Sequence, residues 1–472
     1  MRIFSFYPIF LSTAIVSGTI HPTSLSLKNS ASEAVNPQAD TWVTVFVHGI
    51  MSIQPHLTLQ NLMRFIRDDV QDTVYSKTVE YMRMDPYFYL NQAMQEFGLQ
   101  KIDNHDLQPG NASSAIANIY DHVTKLYEPL NDNHYYTFGW SGLLSPTSRY
   151  LDSIRLFKEL SNEIKTKFWD NGIVPKIRLI GYSHGGNVCL NFAAARKNTD
   201  SSSPISVDEL ILIGTPIQTE TDYLCTDPVF KRIYHVFSCA DRIQRIDFFS
   251  FNRVFSRRCF QSNNHFKVPK KLTQIEMKFT RSAKKKNKSA KREKQLVNFK
   301  DEGIVSGRSR LLRDISPGHL EFWFFGWSPK HYRKDFPLRP LPALSMIPYI
   351  IHCINAAGDN IKNPHPVIAD IRTEFNVMLL KQRKKHHYTQ VFDFIPHAEL
   401  NHLKRVANQV VIDSSFEDEY DQHIQDAFDK AMNENLTYDN RKKRCGPYKR
   451  NRRMRKRNLL AHNIPQSKQA CN

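Results

Sequence analysis

The feature that most narrows the fold is a series of short, continuously apolar runs, each closed by small residues and separated by helix-compatible stretches. Trp42 to Val47 (WVTVFV) ends in His48-Gly49, and Tyr135 to Trp140 (YYTFGW) ends in Ser141-Gly142. Ile177 to Gly181 (IRLIG) runs into a tight turn and a helix-compatible segment from Asn187 to Ala195. Leu210 to Gly214 (LILIG), Tyr234 to Ser238 (YHVFS) and Leu272 to Phe279 (LTQIEMKF) follow. Strands that lack polar alternation are buried on both faces, as in a parallel sheet covered by helices. The expected fold class is therefore α/β.

The intervals set the expected domain organisation. Leu57 to Leu126 reads as mostly helical, with Leu62, Phe65, Ile66 and Val70 at helix spacing. It is too long for one crossover helix, so a helical cap is expected within about 57–126. Phe255 to Pro317 is a second insertion. After Asn360 the pattern again reads as helical, through Val367 to Arg383 and Phe416 to Asn433. The main domain is thus expected over 41–355, a helical extension over 360–438, and a disordered basic tail over 439–472. No internal repeat occurs.

The net charge of +19 suggests a nucleic-acid binder until it is located. Arg281 to Lys294 holds eight Lys or Arg and one Glu (+7), and Arg441 to Arg457 holds eleven and no acid (+11). The rest of the 472 residues carries 46 basic against 45 acidic side chains. A nearly neutral body with two basic blocks argues against nucleic acid as the main partner. It leaves solvated segments, or contact with an anionic membrane surface, as the readings of the blocks. The seven cysteines contain no CxxC pair, so neither a zinc site nor a disulfide framework is indicated.

At the start, Met1-Arg2 precedes an apolar run from Ile3 to Val16, then Ser17, Gly18 and Thr19. This describes a signal peptide over 1–20, with an uncleaved anchor as the competing reading. Export, periplasmic or secreted, with membrane association as a variant, is the expected localisation. Asn111, Asn287 and Asn435 begin Asn-X-Ser/Thr triplets, which are acceptors only in a eukaryotic secretory pathway.

The chemistry is concentrated in Gly181-Tyr182-Ser183-His184-Gly185-Gly186. A serine hydroxyl is a weak nucleophile until a base takes its proton, and it must stand clear of the sheet to reach a substrate. A sharp strand-to-helix turn achieves this, with glycines where backbones crowd and a helix N-terminus facing developing negative charge.

With that elbow, the VFVHGI run at Val45 to Ile50, LILIGTPI at Leu210 to Ile217 and VFSCAD at Val236 to Asp241, the chain resembles the α/β-hydrolase superfamily, in particular its serine lipases and esterases. The resemblance covers roughly Thr41 to His352. It implies a mostly parallel sheet covered by helices and an ester or lipid substrate cleaved through an acyl-enzyme. It implies Ser183 as nucleophile and backbone N–H groups of His184 and of Ile50 or Met51 as oxyanion donors. His48 and His184 would shape loops rather than act as bases.

In the order Ser, acid, His, the acid is expected at Asp241, with Asp247 and then Asp222 as alternatives. The base is expected at His319, with His331 and His352 as alternatives. Phe322, Trp323, Phe324, Phe325 and Trp327 read equally as core or as an acyl-binding wall. Thr215-Pro216 is similar to the Gly-Thr-Pro of lipases. No P-loop, dinucleotide fingerprint or metal-ligand cluster occurs, so no cofactor or metal is expected. The competing reading is an inactive hydrolase-like scaffold that tethers to anionic membranes or nucleic acid. A serine acyltransferase, thioesterase or peptidase would carry the same residues. Oligomeric state is left open.

Overall fold

The computed structural model describes residues 39–51, 68–245, 256–264, 266–282, 312–326, 332–358, 365–385, 387–412 and 416–444. The expected signal segment, the basic insertion beyond Ser282, and the chain after Arg444 lie outside them. The described residues from Asp40 onward form one compact unit.

The strands are β1 (Thr41–Val47), β2 (Gly98–Lys101), β3 (Asp132–Gly139), β4 (Lys176–Tyr182), β5 (Val207–Ile213), β6 (Phe230–Phe237), β7 (Leu272–Ser282), β8 (Leu312–Asp314), β9 (Val367–Arg372), β10 (Val377–Gln382) and β11 (Gln390–Asp393). All belong to one sheet of order β11-β10-β9-β7-β6-β5-β4-β1-β3-β2, with β8 paired to β7. From β9 to β3 every neighbour is parallel, while β2, β8, β10 and β11 are antiparallel additions. The protein is thus α/β with a mostly parallel sheet. All six apolar runs lie on strands of the parallel core.

Alternate residues of each strand face opposite layers. Val43, Val45, Val47, Leu179, Leu210 and Leu212 pack under α3 (Pro146–Lys167) and α4 (His184–Thr199). Phe46, Ile180, Ile211 and Ile213 face α2 (Ala112–Lys125), α5 (Ile347–Ala356) and α6 (His397–Gln409). Each layer removes a continuous apolar surface from water, which accounts for runs without polar alternation. Among the described residues no helix is long and apolar enough to cross a membrane.

Three expectations are corrected. The stretch 57–126, over its described residues, is not mostly a helical cap. Its described part holds α1 (Val74–Met84), the short edge strand β2, and α2, which packs on the sheet with most of its residues buried. Val367 to Arg383 is not helical: β9 adds to β7 in parallel, and β10 returns antiparallel after Asn376, whose φ is +54°. β9 is buried at all six positions, so it shows no alternation to betray it. Finally, α7 (Phe416–Arg444) runs five residues past Asp439, into the segment expected to be disordered. It crosses back onto α1, where Met82, Phe88, Met94 and Ala427 form a small core with Tyr420 and Ile424 against it.

Asn111 is also engaged. Its side chain caps α2 by accepting from the Ser114 N–H and donates to Asp106, which accounts for its place in the triplet without glycosylation.

Candidate active site

The parallel strands β1, β4, β5 and β6 end at one edge of the sheet, and their loops converge there. Val47 is level with Gly181, and Ile213 with Tyr182.

Ser183 follows β4 directly and adopts φ +52°, ψ −130°, before α4 begins at His184. A serine at positive φ costs roughly 1–3 kcal/mol and persists only where its surroundings over-determine it. Here the Ser183 N–H donates to Ile213 O (2.8 Å) on β5. The glycines around it are spatial necessities. A Cβ at Gly181 would overlap the backbone of Gly185 and Gly186, and one at Gly185 would overlap the carbonyl oxygens of Val47 and His48. One at Gly186 would overlap the Thr215 side chain. The three glycines let strand, helix and the β1 loop close on a single point.

His319 stands at that point. Its Nε2 is 3.0 Å from Ser183 Oγ and its Nδ1 is 2.8 Å from Asp241 Oδ2. The Asp241 carboxylate, fully buried, also accepts from the backbone N–H groups of Ile243 (3.0 Å) and Gln244 (3.3 Å) through Oδ1. Because a carboxylate oxygen accepts, the imidazole proton sits on Nδ1 and Nε2 is left to accept from the serine hydroxyl. Gly214, at φ +58°, lies beneath this pair. An added Cβ would come within 3.3 Å of Asp241 Oδ2 and 3.5 Å of the His319 ring.

His319 is held from behind by Tyr182, Trp323 and Glu321. Tyr182 donates to His319 O (2.9 Å), and Trp323 stacks on Tyr182 with centroids 5.1 Å apart and planes 6° from parallel. Glu321 accepts from Gly318 N–H (2.8 Å) and pairs with Arg333 (2.9 Å). Phe322, Trp323 and Phe325 are core, Phe324 is half-buried, and Trp327 lies outside the described residues.

The alternatives sit elsewhere. Asp222 is paired with Arg257. His352 stacks on Tyr127 (4.3 Å) at α5. Asp247 and His331 lie outside the described residues.

The β1 loop flanks Ser183 on its other side. A Cβ on Gly49 would stand 3.1 Å from Ser183 Cβ. The Met51 N–H is occupied by Gly142 O (3.4 Å). Ile50, Met51 and Leu143 pack with Leu144 and Tyr75 into a small apolar cluster beside the loop. His48 is buried against Trp140, and burial together with the nearby Arg83 charge holds its pKa well below the usual histidine value. The His184 ring faces the buried Arg149 (3.2 Å), which also donates to Gln218 (2.9 Å). Among the described residues, no group of three His, Cys, Asp or Glu is arranged to hold a metal ion.

No family model matches this chain, and neither does any curated protein. Among solved structures it is similar to a chain in the structure of the Tle1 effector bound to the VgrG spike from the Type 6 secretion system, at 13% identity and a TM-score of 0.20. The similarity covers 43% of this chain and 46% of that one, less than half the length of either.

Proposed function

We propose that this protein is a serine hydrolase of carboxylic esters, built on an α/β-hydrolase fold. The observation that carries the reading is the hydrogen-bonded row Ser183–His319–Asp241, with the serine at a positive-φ strand-to-helix turn. A serine, an imidazole accepting from it and a carboxylate behind the imidazole is the arrangement that acyl transfer requires.

Ser183 Oγ attacks the acyl carbonyl as His319 Nε2 takes its proton. Asp241 keeps the imidazole in the Nδ1–H tautomer and stabilises the imidazolium that forms. The His184 N–H at the start of α4 and the Ile50 N–H beside Gly49 stabilise the tetrahedral oxyanion; Met51, whose N–H is already engaged, is set aside as a donor. His319 then returns the proton to the leaving alcohol, and water hydrolyses the acyl-enzyme by the same steps in reverse. The apolar cluster of Ile50, Leu143 and Leu144 beside the oxyanion loop favours esters with an apolar, lipid-like acyl group. Export through the Ile3 to Val16 segment, with the basic blocks touching anionic membrane, belongs to the same proposal.

A fluorophosphonate probe tests it. Labelling of the native protein, lost in both Ser183→Ala and His319→Ala with circular dichroism unchanged, is the expected result. A folded native protein that stays unlabelled, with or without liposomes, would overturn the hydrolase reading in favour of a tethering scaffold.

A further inference from the structure

We propose that Trp140, with Arg83 behind it, is a positioning residue that aims the Ile50 N–H at the reacting oxygen by acting through His48. The inference rests on the hydrolase reading above and adds to it a device that sets the oxyanion donor.

β1 and β3 run parallel, with Val47 level with Phe138, so His48 and Trp140 leave the sheet on neighbouring strands, one step apart in register. Trp140 is fully buried and grips His48 twice. Its indole N–H donates to His48 O (2.7 Å), and its backbone N–H donates to His48 Nε2 (3.3 Å). The two rings stack with centroids 5.6 Å apart. With Nε2 accepting, the imidazole proton lies on Nδ1, and that N–H donates to Gly49 O at 2.7 Å.

The last bond matters because of peptide geometry. The Gly49 C=O and the Ile50 N–H belong to one planar trans unit and point in opposite directions. Fixing the carbonyl therefore fixes the N–H. That unit begins at Gly49, where an added Cβ would stand 3.1 Å from Ser183 Cβ.

Arg83 closes the chain from α1. Its Nε donates to Trp140 O (3.1 Å), its guanidinium also reaches Gln95 O, and its cationic carbon lies 4.8 Å from the Phe97 ring and 5.0 Å from the Tyr89 ring. Arg83 is fully buried, and its charge disfavours a proton on His48. A protonated His48 would set a second N–H against the Trp140 N–H and release the grip. Packing alone would not require this tautomer, nor a line of bonds that ends on the peptide beside the nucleophile.

The test compares native protein with Trp140→Phe, which keeps the ring stack and the backbone N–H but removes the indole donor, and with His48→Ala. For each, kcat and KM on a short p-nitrophenyl ester and the Ki of an alkyl trifluoromethyl ketone are measured, with active sites counted by fluorophosphonate titration. The ketone forms a hemiketal whose oxyanion occupies the same position. Outright loss of an oxyanion donor costs roughly 100- to 1,000-fold in kcat. A misaimed donor is expected to cost less in Trp140→Phe, about tenfold, while His48→Ala, which removes the bond to Gly49 O altogether, should reach the lower end of that range at about 100-fold, with ketone Ki weakening in parallel and KM steady. Counting active sites removes any loss due to misfolded molecules, and His48→Ala carries the test if Trp140→Phe gives no folded protein. If kcat and ketone Ki stay within about twofold of native, or KM alone rises, the inference fails while the hydrolase reading stands. A native protein that the probe does not label brings down both.

Discussion

Ser183 and His319, the proposed nucleophile and base, reach the same point by opposite means. Ser183 comes off β4 with no slack: one residue at φ +52° separates strand from helix, and backbone atoms fill the space around Gly181, Gly185 and Gly186. His319 comes at the end of a long excursion, of which residues 283–311 lie outside the described structure, and is located by side chains: the Asp241 carboxylate, the Tyr182 hydroxyl and the Trp323 stack. A position fixed by backbone contact leaves a short, rigid sequence motif. A position fixed by distant side chains leaves almost none, because many residue combinations can build the same wall. The two halves should therefore fail differently when disturbed.

The largest effect is expected where the halves meet, at Asp241→Asn. Oδ1 already accepts from two backbone N–H groups, so the amide oxygen keeps that place and the NH₂ turns toward His319 Nδ1. The imidazole must then carry its proton on Nε2, the wrong nitrogen for taking one from Ser183. A fall of about 10⁴-fold in kcat with an unchanged melting temperature is expected. Steady-state kinetics showing less than a tenfold loss would mean that Asp241 merely caps the turn.

Next comes Gly185→Ala, which sets a methyl group into the carbonyls of Val47 and His48. Backbone cannot rotate away as a side chain can, so a loss of about 3–5 kcal/mol is expected, or no soluble protein. Urea unfolding checks it; an unchanged midpoint would contradict the close packing of elbow and β1 loop. Trp323→Leu should be milder in stability, at about 2–4 kcal/mol, because neighbouring side chains can relax into the space. It should also lower kcat about tenfold per active site, since the Tyr182 support of His319 loosens. Activity per site equal to native would show that the aromatic wall is only core.

The same contrast explains what could be read from the chain. β1 and β3 to β7 were legible because strands buried on both faces leave continuous apolar runs, and the elbow because only glycine fits beside it. β9 and β10 were not. Val367, Ile368, Ile371 and Phe375 fall at spacings a helix face would also use, and the turn between the strands carries only Asn376 as its signal. β2, four residues ending in Gln100-Lys101, has too little apolar patterning to stand out. At the site, chain order together with the family resemblance favoured Asp241 and His319 and left Asp247, Asp222, His331 and His352 open; the distances bring Asp241 and His319 to Ser183. Arg83 and Glu321 belong to no motif, and Trp140 and Tyr182 were read only as parts of a strand run and of the elbow: their importance arises from contacts spanning up to 137 positions of sequence.

The smallest expected effect separates two buried histidines. His319 has a partner at each ring nitrogen, whereas His235, on β6, has none in hydrogen-bonding geometry among the described residues. It lies between Phe237 and Phe260, with the Thr215 backbone and the Gln274 side chain near its ring outside good hydrogen-bonding geometry, and burial outweighs them to push its pKa down from 6.5 to about 4. In the unfolded chain this histidine takes a proton near pH 6.5; in the folded chain it does not until near pH 4. Across that window the unfolded state binds more protons, so stability must fall as the pH drops, by up to about 1.4 kcal/mol per pH unit for this group. His48, whose pKa is also lowered, adds to the loss with the same sign. His235→Phe replaces the imidazole with a ring that does not titrate and has no nitrogen left unpaired, so its stability at pH 7 should be close to native. Between pH 6.5 and 4.5, urea-unfolding free energies of the native protein should drop by about 1–2 kcal/mol more than those of the variant. Parallel pH profiles would mean that the Thr215 and Gln274 contacts offset the burial of His235, and that it does not oppose folding in acid.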